Sequence, residues 1–215
     1  MPRRGSVGGT VGPISGLSRL SFNAATGGSV ATVSNYNGTG QTWKVHSFTS
    51  NSSLVVTQAS ELFKIFVLGG GPGGCGLYAG NGGNSGGGLY YYSDTETLPV
   101  ATLPVVIGGA GGGYGSDGPA ADSGNGSSGG SSTFSGRTGA GGVHHTYNGT
   151  HPFTTDITGT SLSYSYNTSG TAGYNANPTI RGSAGNKSGI HPTGGPNFGS
   201  GPGVGGYVVV AYRVE

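Results

Sequence analysis

The chain has 215 residues and a mass of 21.0 kDa, with 50 glycines, 11 prolines and only 7% charged residues. Average domains hold about 7% glycine and about 25% charged residues, so glycine is enriched about threefold here and charge is scarce. Nine basic residues stand against seven acidic ones, a net charge of +2 scattered without a basic stripe, which excludes nucleic-acid binding driven by electrostatics.

Glycine and proline together exceed a quarter of the chain, a composition that taken alone reads as disorder. Disordered segments, however, combine high charge with few aromatics. This chain has little charge, 12 tyrosines and 7 phenylalanines, and its apolar runs are of strand length and evenly spread. A thin core is therefore expected. So weakly charged a surface suits a protein held among neighbours. No apolar run approaches the ~18 residues of a membrane helix, so no membrane insertion is expected. Met1-Pro2-Arg3-Arg4 is not followed by the apolar region of a signal peptide, which predicts synthesis in the cytoplasm without a Sec signal, so that any place outside the cell is reached as part of a larger assembly. The single cysteine, Cys75, cannot close an internal disulfide and reads as a small buried residue within a glycine run.

In chain order, residues 1–19 contain Arg3, Arg4, several glycines and Pro13 with few apolar residues, and read as an extended arm, either a frayed terminus or a docking arm that lies on a neighbouring subunit. Residues 20–215 form a glycine-rich β domain. A weakly alternating stretch from Leu20 to Val33 ends at Asn35-Tyr36-Asn37-Gly38, whose Asn-Gly pair signals a hairpin turn. Strands follow at Gln41 to Thr49, Leu54 to Thr57 and Leu62 to Leu68, joined by short polar turns, which predicts an antiparallel meander. Residues 62–68 are apolar at nearly every position, as in a strand buried on both faces. This central strand then gives way to Gly69-Gly70-Gly71-Pro72-Gly73-Gly74.

The same switch recurs. Leu89 to Ser93 and Leu98 to Ile107 are the next strands, with Pro99 and Pro104 predicting an edge or a break because proline donates no ladder bond. A second glycine excursion runs from Gly108 to Ser132, and Thr133 to Arg137 returns to the core. Residues 143–201 carry Tyr147, Phe153, Tyr164, Tyr166, Tyr174 and Phe198 among polar residues, too sparse for a second core, and read as a surface insertion. Tyr207 to Val214 closes the sheet. No segment has a helical period, so the fold class is all-β, a small antiparallel β-sandwich with long glycine-rich loops. Two arrangements suit those loops: three-residue-per-turn helices of the polyproline II kind packed side by side, or stacked tight turns and short strands.

Candidate chemistry is thin. His144, His145 and His151 lie close in sequence, with His46 and His191 elsewhere, but without metal-ligand spacing or cysteine partners they read as surface loop histidines. Asp94 and Glu96 share a parity that would suit a pair of glycosidase carboxylates, yet they flank a turn and read as an exposed strand end. Asp117 and Asp122 lack calcium-loop spacing, and G-x-G-x-x-G matches arise from composition with no helix following. The expectation is no catalytic constellation, no cofactor and no metal. Tyrosine, serine, glycine and asparagine together make adaptable recognition loops, with Tyr147, His151, Tyr164, Tyr166 and Tyr174 as candidate contacts. The competing reading is that these tyrosines pack the insertion against its own domain or a neighbouring subunit.

The order of parts carries a resemblance. Phe63 to Gly71, Gly88 to Tyr92, Val105 to Gly112, Ser131 to Gly136 and Gly203 to Arg213 follow one another as apolar strand into glycine, L-Y-Y strand, V-I-G-G-A-G-G, S-S-T-F-S and V-G-G-Y-V-V-V-A-Y-R. From about residue 40 to 215 this resembles the glycine-rich domain of bacteriophage minor tail proteins and tail-fibre tips, found also in some bacterial surface proteins. In composition the chain is similar to phage adhesins that display loops on packed polyglycine helices, although its tracts are interrupted by Ser, Asn and Tyr. The resemblance implies a non-enzymatic structural protein of the virion, a minor tail protein at the tail tip or baseplate with a role in host attachment. Implied partners are other tail proteins, further copies of itself (a trimer or higher oligomer) and a glycan of the host envelope, with Arg3 and Arg4 docking the arm on the virion. The alternative from another class is a capsid decoration protein that covers subunit seams.

Overall fold

In the computed structural model the described residues are 22–73, 88–112, 127–143, 153–164 and 204–215. They form two five-stranded antiparallel sheets and a separate two-stranded hairpin. Among them no helix is long and apolar enough to cross a membrane. The strands are β1 (Ala24–Thr26), β2 (Ser29–Val33), β3 (Trp43–Phe48), β4 (Ser52–Gln58), β5 (Phe63–Leu68), β6 (Tyr90–Glu96), β7 (Thr102–Val106), β8 (Ser132–Phe134), β9 (Arg137–Gly139), β10 (Phe153–Thr155), β11 (Leu162–Tyr164) and β12 (Tyr207–Arg213). One sheet runs β1-β4-β7-β8-β9 and the other β2-β3-β12-β5-β6.

The sheets face each other across the main core. Phe63, Ile65 and Val67 of β5 and Val208, Val210 and Tyr212 of β12 point inward to meet Leu54, Val56, Leu103, Val105 and Phe134 of the opposite sheet. The alternate residues Phe66, Leu68, Val209 and Ala211 point the other way, into a second cluster with Tyr36, Val45, Ile157 and Tyr164. Strands β5 and β12 are thus buried on both faces. The unbroken apolar runs of their sequences have this cause, because a strand covered on one side only would alternate.

Three expectations are corrected. The strands from β3 to β5 are not a meander: β3 and β5 flank β12, whereas β4 lies in the facing sheet between β1 and β7. Residues 49–51 and 59–62 are therefore crossings between layers and not hairpin turns. The last strand does not close an edge, since β12 is the middle strand of its sheet. Residues 153–164, inside the supposed surface insertion, form the hairpin of β10 and β11, and Phe153, Ile157 and Tyr164 supply part of the second core. The Asn-Gly signal does mark the β2–β3 hairpin, where Asn35 and Asn37 adopt left-handed φ values of 52° and 49°. Pro104 is tolerated inside β7 because the β7–β8 ladder spans only Val105 and Val106.

Candidate functional site: a glycine bundle and an aromatic face

Six glycine-rich tracts leave or enter the sheets at one end of the sandwich: residues 69–73 after β5, 88–89 before β6, 108–112 after β7, 127–130 before β8, 140–142 after β9 and 204–206 before β12. Their backbones bond to one another. Gly70 N–H donates to Gly130 O at 2.9 Å and Gly73 N–H to Ser127 O at 3.0 Å, three residues apart on both tracts. Ser127 and Gly130 in turn donate to Gly112 O and Gly109 O, both at 2.8 Å, again three apart. Between those rungs Gly69 N–H reaches Leu89 O at 3.0 Å and Gly71 N–H reaches Val204 O at 2.8 Å. Consecutive residues thus donate to different neighbours and every third residue returns to the same one.

That repeat is the signature of a three-residue-per-turn extended helix, in which successive N–H groups point about 120° apart. Burial follows the same repeat: Gly108 and Gly111 are buried with exposed Gly109 and Ala110 between them, and Gly139 and Gly142 are likewise buried. Residues 69–73 are buried throughout, with the other five tracts bonded around them; Gly111 N–H and Gly142 N–H donate back to Gly71 O and Gly70 O at 2.9 Å. Pro72 fits this central tract because its fixed φ is the one the helix uses.

Close packing explains the composition. A Cβ on Gly70, Gly129 or Gly141 would overlap the carbonyl oxygen of Gly109, Gly70 or Gly129 respectively. None of these three has a positive φ, so space and not backbone conformation demands glycine there. Ser132, fully buried, ties the bundle to the sheets: its hydroxyl accepts from Gly108 N–H at 3.0 Å and donates to Leu68 O at 2.6 Å. Nothing in the sequence sets Ser132 apart from Ser131 except its parity with inward-pointing Phe134.

Beside the bundle, the hairpin covers an aromatic face. Phe66 stacks on Phe153 at 5.6 Å between ring centroids and meets Tyr164 at 4.9 Å, while Tyr90 lies over Phe153 at 3.8 Å. Farther along, Tyr36 stacks on Trp43 at 4.5 Å, and the Lys64 ammonium sits 5.0 Å and 5.1 Å from those two rings. Tyr164, a candidate contact residue, is buried, and burial pushes its hydroxyl pKa up. Its ring packs inward, the role that the competing reading of the tyrosines gives it. Tyr147, His151, Tyr166, Tyr174, Arg3, Arg4, Cys75, His144, His145, His191, Asp117 and Asp122 lie outside the described residues.

Two titratable groups among the described residues, His46 and Glu96, have structural roles. His46 is not a surface loop residue: it is fully buried in β3, with Nδ1 at 2.7 Å from Gly27 O and Nε2 at 3.2 Å from the Tyr212 hydroxyl. Because a carbonyl only accepts, Nδ1 carries the proton. Burial lowers the His46 pKa, holding the ring neutral. Glu96 pairs with Arg137 and accepts from the Tyr91 hydroxyl, joining β6 to β9. Burial alone would raise its pKa, but the hydrogen bonds from Tyr91 and Arg137 outweigh that and hold it below the usual carboxylate value. Asp94 is exposed on the same strand. Among the described residues no three His, Cys, Asp or Glu side chains gather as metal ligands.

Fold and bundle together define a class: an all-β sandwich extended at one end by a bundle of hydrogen-bonded glycine helices. No family model matches the sequence, and no curated protein matches it either.

Proposed function

We propose that this chain is a non-enzymatic structural protein of a bacteriophage virion, a minor tail protein at the tail tip or baseplate that takes part in attachment to the host surface. The observation that carries the reading is the glycine bundle. At its outer end residues 73, 112 and 127 are bonded together, and from this end the chain continues into residues 74–87 and 113–126. Residues 143 and 204, which border the tyrosine-bearing stretch, flank the same bundle. A bundle so poor in side chains is a poor active site and a compact pedestal: it fixes several segment ends close together mainly by backbone bonds, with the Ser127 hydroxyl accepting from Gly112 N–H at the outer end. The resemblance to phage tail-tip domains supports the same reading. The composition of the tyrosine-bearing stretch suits contact with an envelope glycan. Other tail proteins would hold the chain in the particle.

Electron cryomicroscopy of particles that carry the protein tests the position: density at the tail tip or baseplate is expected, and density on the capsid shell would replace attachment with shell decoration. Purified protein is expected to compete with adsorption of the phage. Tyr166→Ala combined with Tyr174→Ala should remove that competition while leaving the thermal unfolding midpoint unchanged. Competition that survives the double variant would remove these tyrosines from the contact.

A further inference from the structure

Four strands end the two large sheets, and three of them are protected against pairing. Strands β1 and β9 are only three residues long, and β1 has an irregular register at Ala24/Ala25. Strand β6 carries Asp94 and Glu96 and an irregular register opposite Phe63/Ile65. Short length, charge and irregularity are the devices by which sheet edges avoid unwanted partners. The fourth edge, β2, has none. Its sequence Ser29-Val30-Ala31-Thr32-Val33 pairs with β3 in unbroken register from Ser29↔Ser47 to Val33↔Trp43 and contains no charge and no proline. Residues 29–32 are exposed, and among the described residues no strand lies on their far side. Val30 is 52% exposed although it sits opposite buried His46 on the side that faces the other sheet, so the sandwich is open along this strand.

We infer that β2 is the pairing edge for a second copy of this chain, joined antiparallel about a two-fold axis through Ala31. The strand is self-complementary in that arrangement. Ala31 faces Ala31, Val30 faces Thr32 and Ser29 faces Val33, β-branched and small residues that suit cross-strand pairs, with no like charges opposed. Each outward N–H and C=O of β2 gains a partner, and two five-stranded sheets become one of ten strands. The low charge of the chain, +2 net, leaves little repulsion between copies. A ladder this short lies at the small end of specific interfaces, so the free dimer is weak and becomes firm when neighbours hold the copies together. This inference does not rest on the proposed place in the virion.

Sedimentation of the full chain over a concentration series tests it. The expected result is a reversible monomer–dimer equilibrium. Ala31→Lys and Ala31→Glu are exposed changes that should leave folding intact, yet each opposes like charges across the axis and should weaken its own dimer at least tenfold. Mixing the two variants should restore dimerisation. Amide exchange of β2 in the wild-type chain should speed up on dilution, a readout that needs no variant. A chain that remains monomeric at the highest concentration, with or without protected β2 amides, would overturn the inference. So would an oligomer that Ala31→Lys leaves unchanged.

Discussion

At Gly141 and Gly109 the same substitution should have opposite consequences. A Cβ at Gly141 runs into the Gly129 carbonyl, which is backbone held by its own bonds and cannot move aside, whereas nothing lies within 4 Å of a Cβ at Gly109. Gly141→Ala should therefore cost about 3 kcal/mol or more, the upper range for overpacking. Gly109→Ala should be neutral or stabilising by up to ~1 kcal/mol, because it removes freedom from the unfolded chain. Chemical denaturation of the two variants checks this. If both were equally harmless, the tight backbone contacts of the bundle would not exist. His46 sets a second expectation at this scale. Its folded pKa lies below that of the unfolded chain, so on acidification the unfolded chain takes up the proton first. The stabilising contribution of neutral His46 is whole above about pH 6.5 and is lost below it, at no more than about 1.4 kcal/mol per pH unit. The pH slope should flatten in His46→Gln between about pH 6.5 and 5, a window that lies above the ordinary carboxylate range.

Among the elements, β5 bears most of the packing because it belongs to both cores and feeds the central glycine tract. Phe66→Ala would empty the aromatic stack beneath the β10–β11 hairpin and should cost about 3–5 kcal/mol, with loss of protection of β10 and β11 in amide exchange. Wild-type protection of the hairpin in that variant would show that it is held by something other than Phe66. The double-sided burial of β5 was legible in the sequence, since Phe63 to Leu68 are apolar on both parities apart from Lys64, and Lys64 lays its stem across the outer face to reach Tyr36 and Trp43. The same signal stands in Val208-Val209-Val210-Ala211 and requires a central place for β12, because an edge strand has no need of cover on both faces. The sheet that takes β4 could not be read this way. Sequential strands usually pair, and the short links on either side of β4 suit a hairpin or a crossing equally. The second core was hidden for a related reason. Residues 153–164 bring only Phe153, Ile157, Leu162 and Tyr164, and their apolar partners come from distant strands of the sandwich.

For the whole molecule, the bundle supplies what a small, glycine-laden chain otherwise lacks. Ordering glycine costs the most backbone entropy of any residue. That cost is offset because each tract shares its bonds with several others and the central one is shielded from water on all sides. The site candidates divide along the same line. Tyr164 lies in the part that packs, and the other residues proposed for contact with a host, Tyr147, His151, Tyr166 and Tyr174, lie outside the described residues.

The tracts also impose a counting rule on any change in their length. One extra residue inserted after Gly71 would rotate every later amide by a third of a turn and misdirect the bond from Gly73 to Ser127, whereas three extra residues would bring the pattern back into phase. Insertions of three should therefore fold and insertions of one or two should not, a difference that thermal unfolding of the three variants would expose.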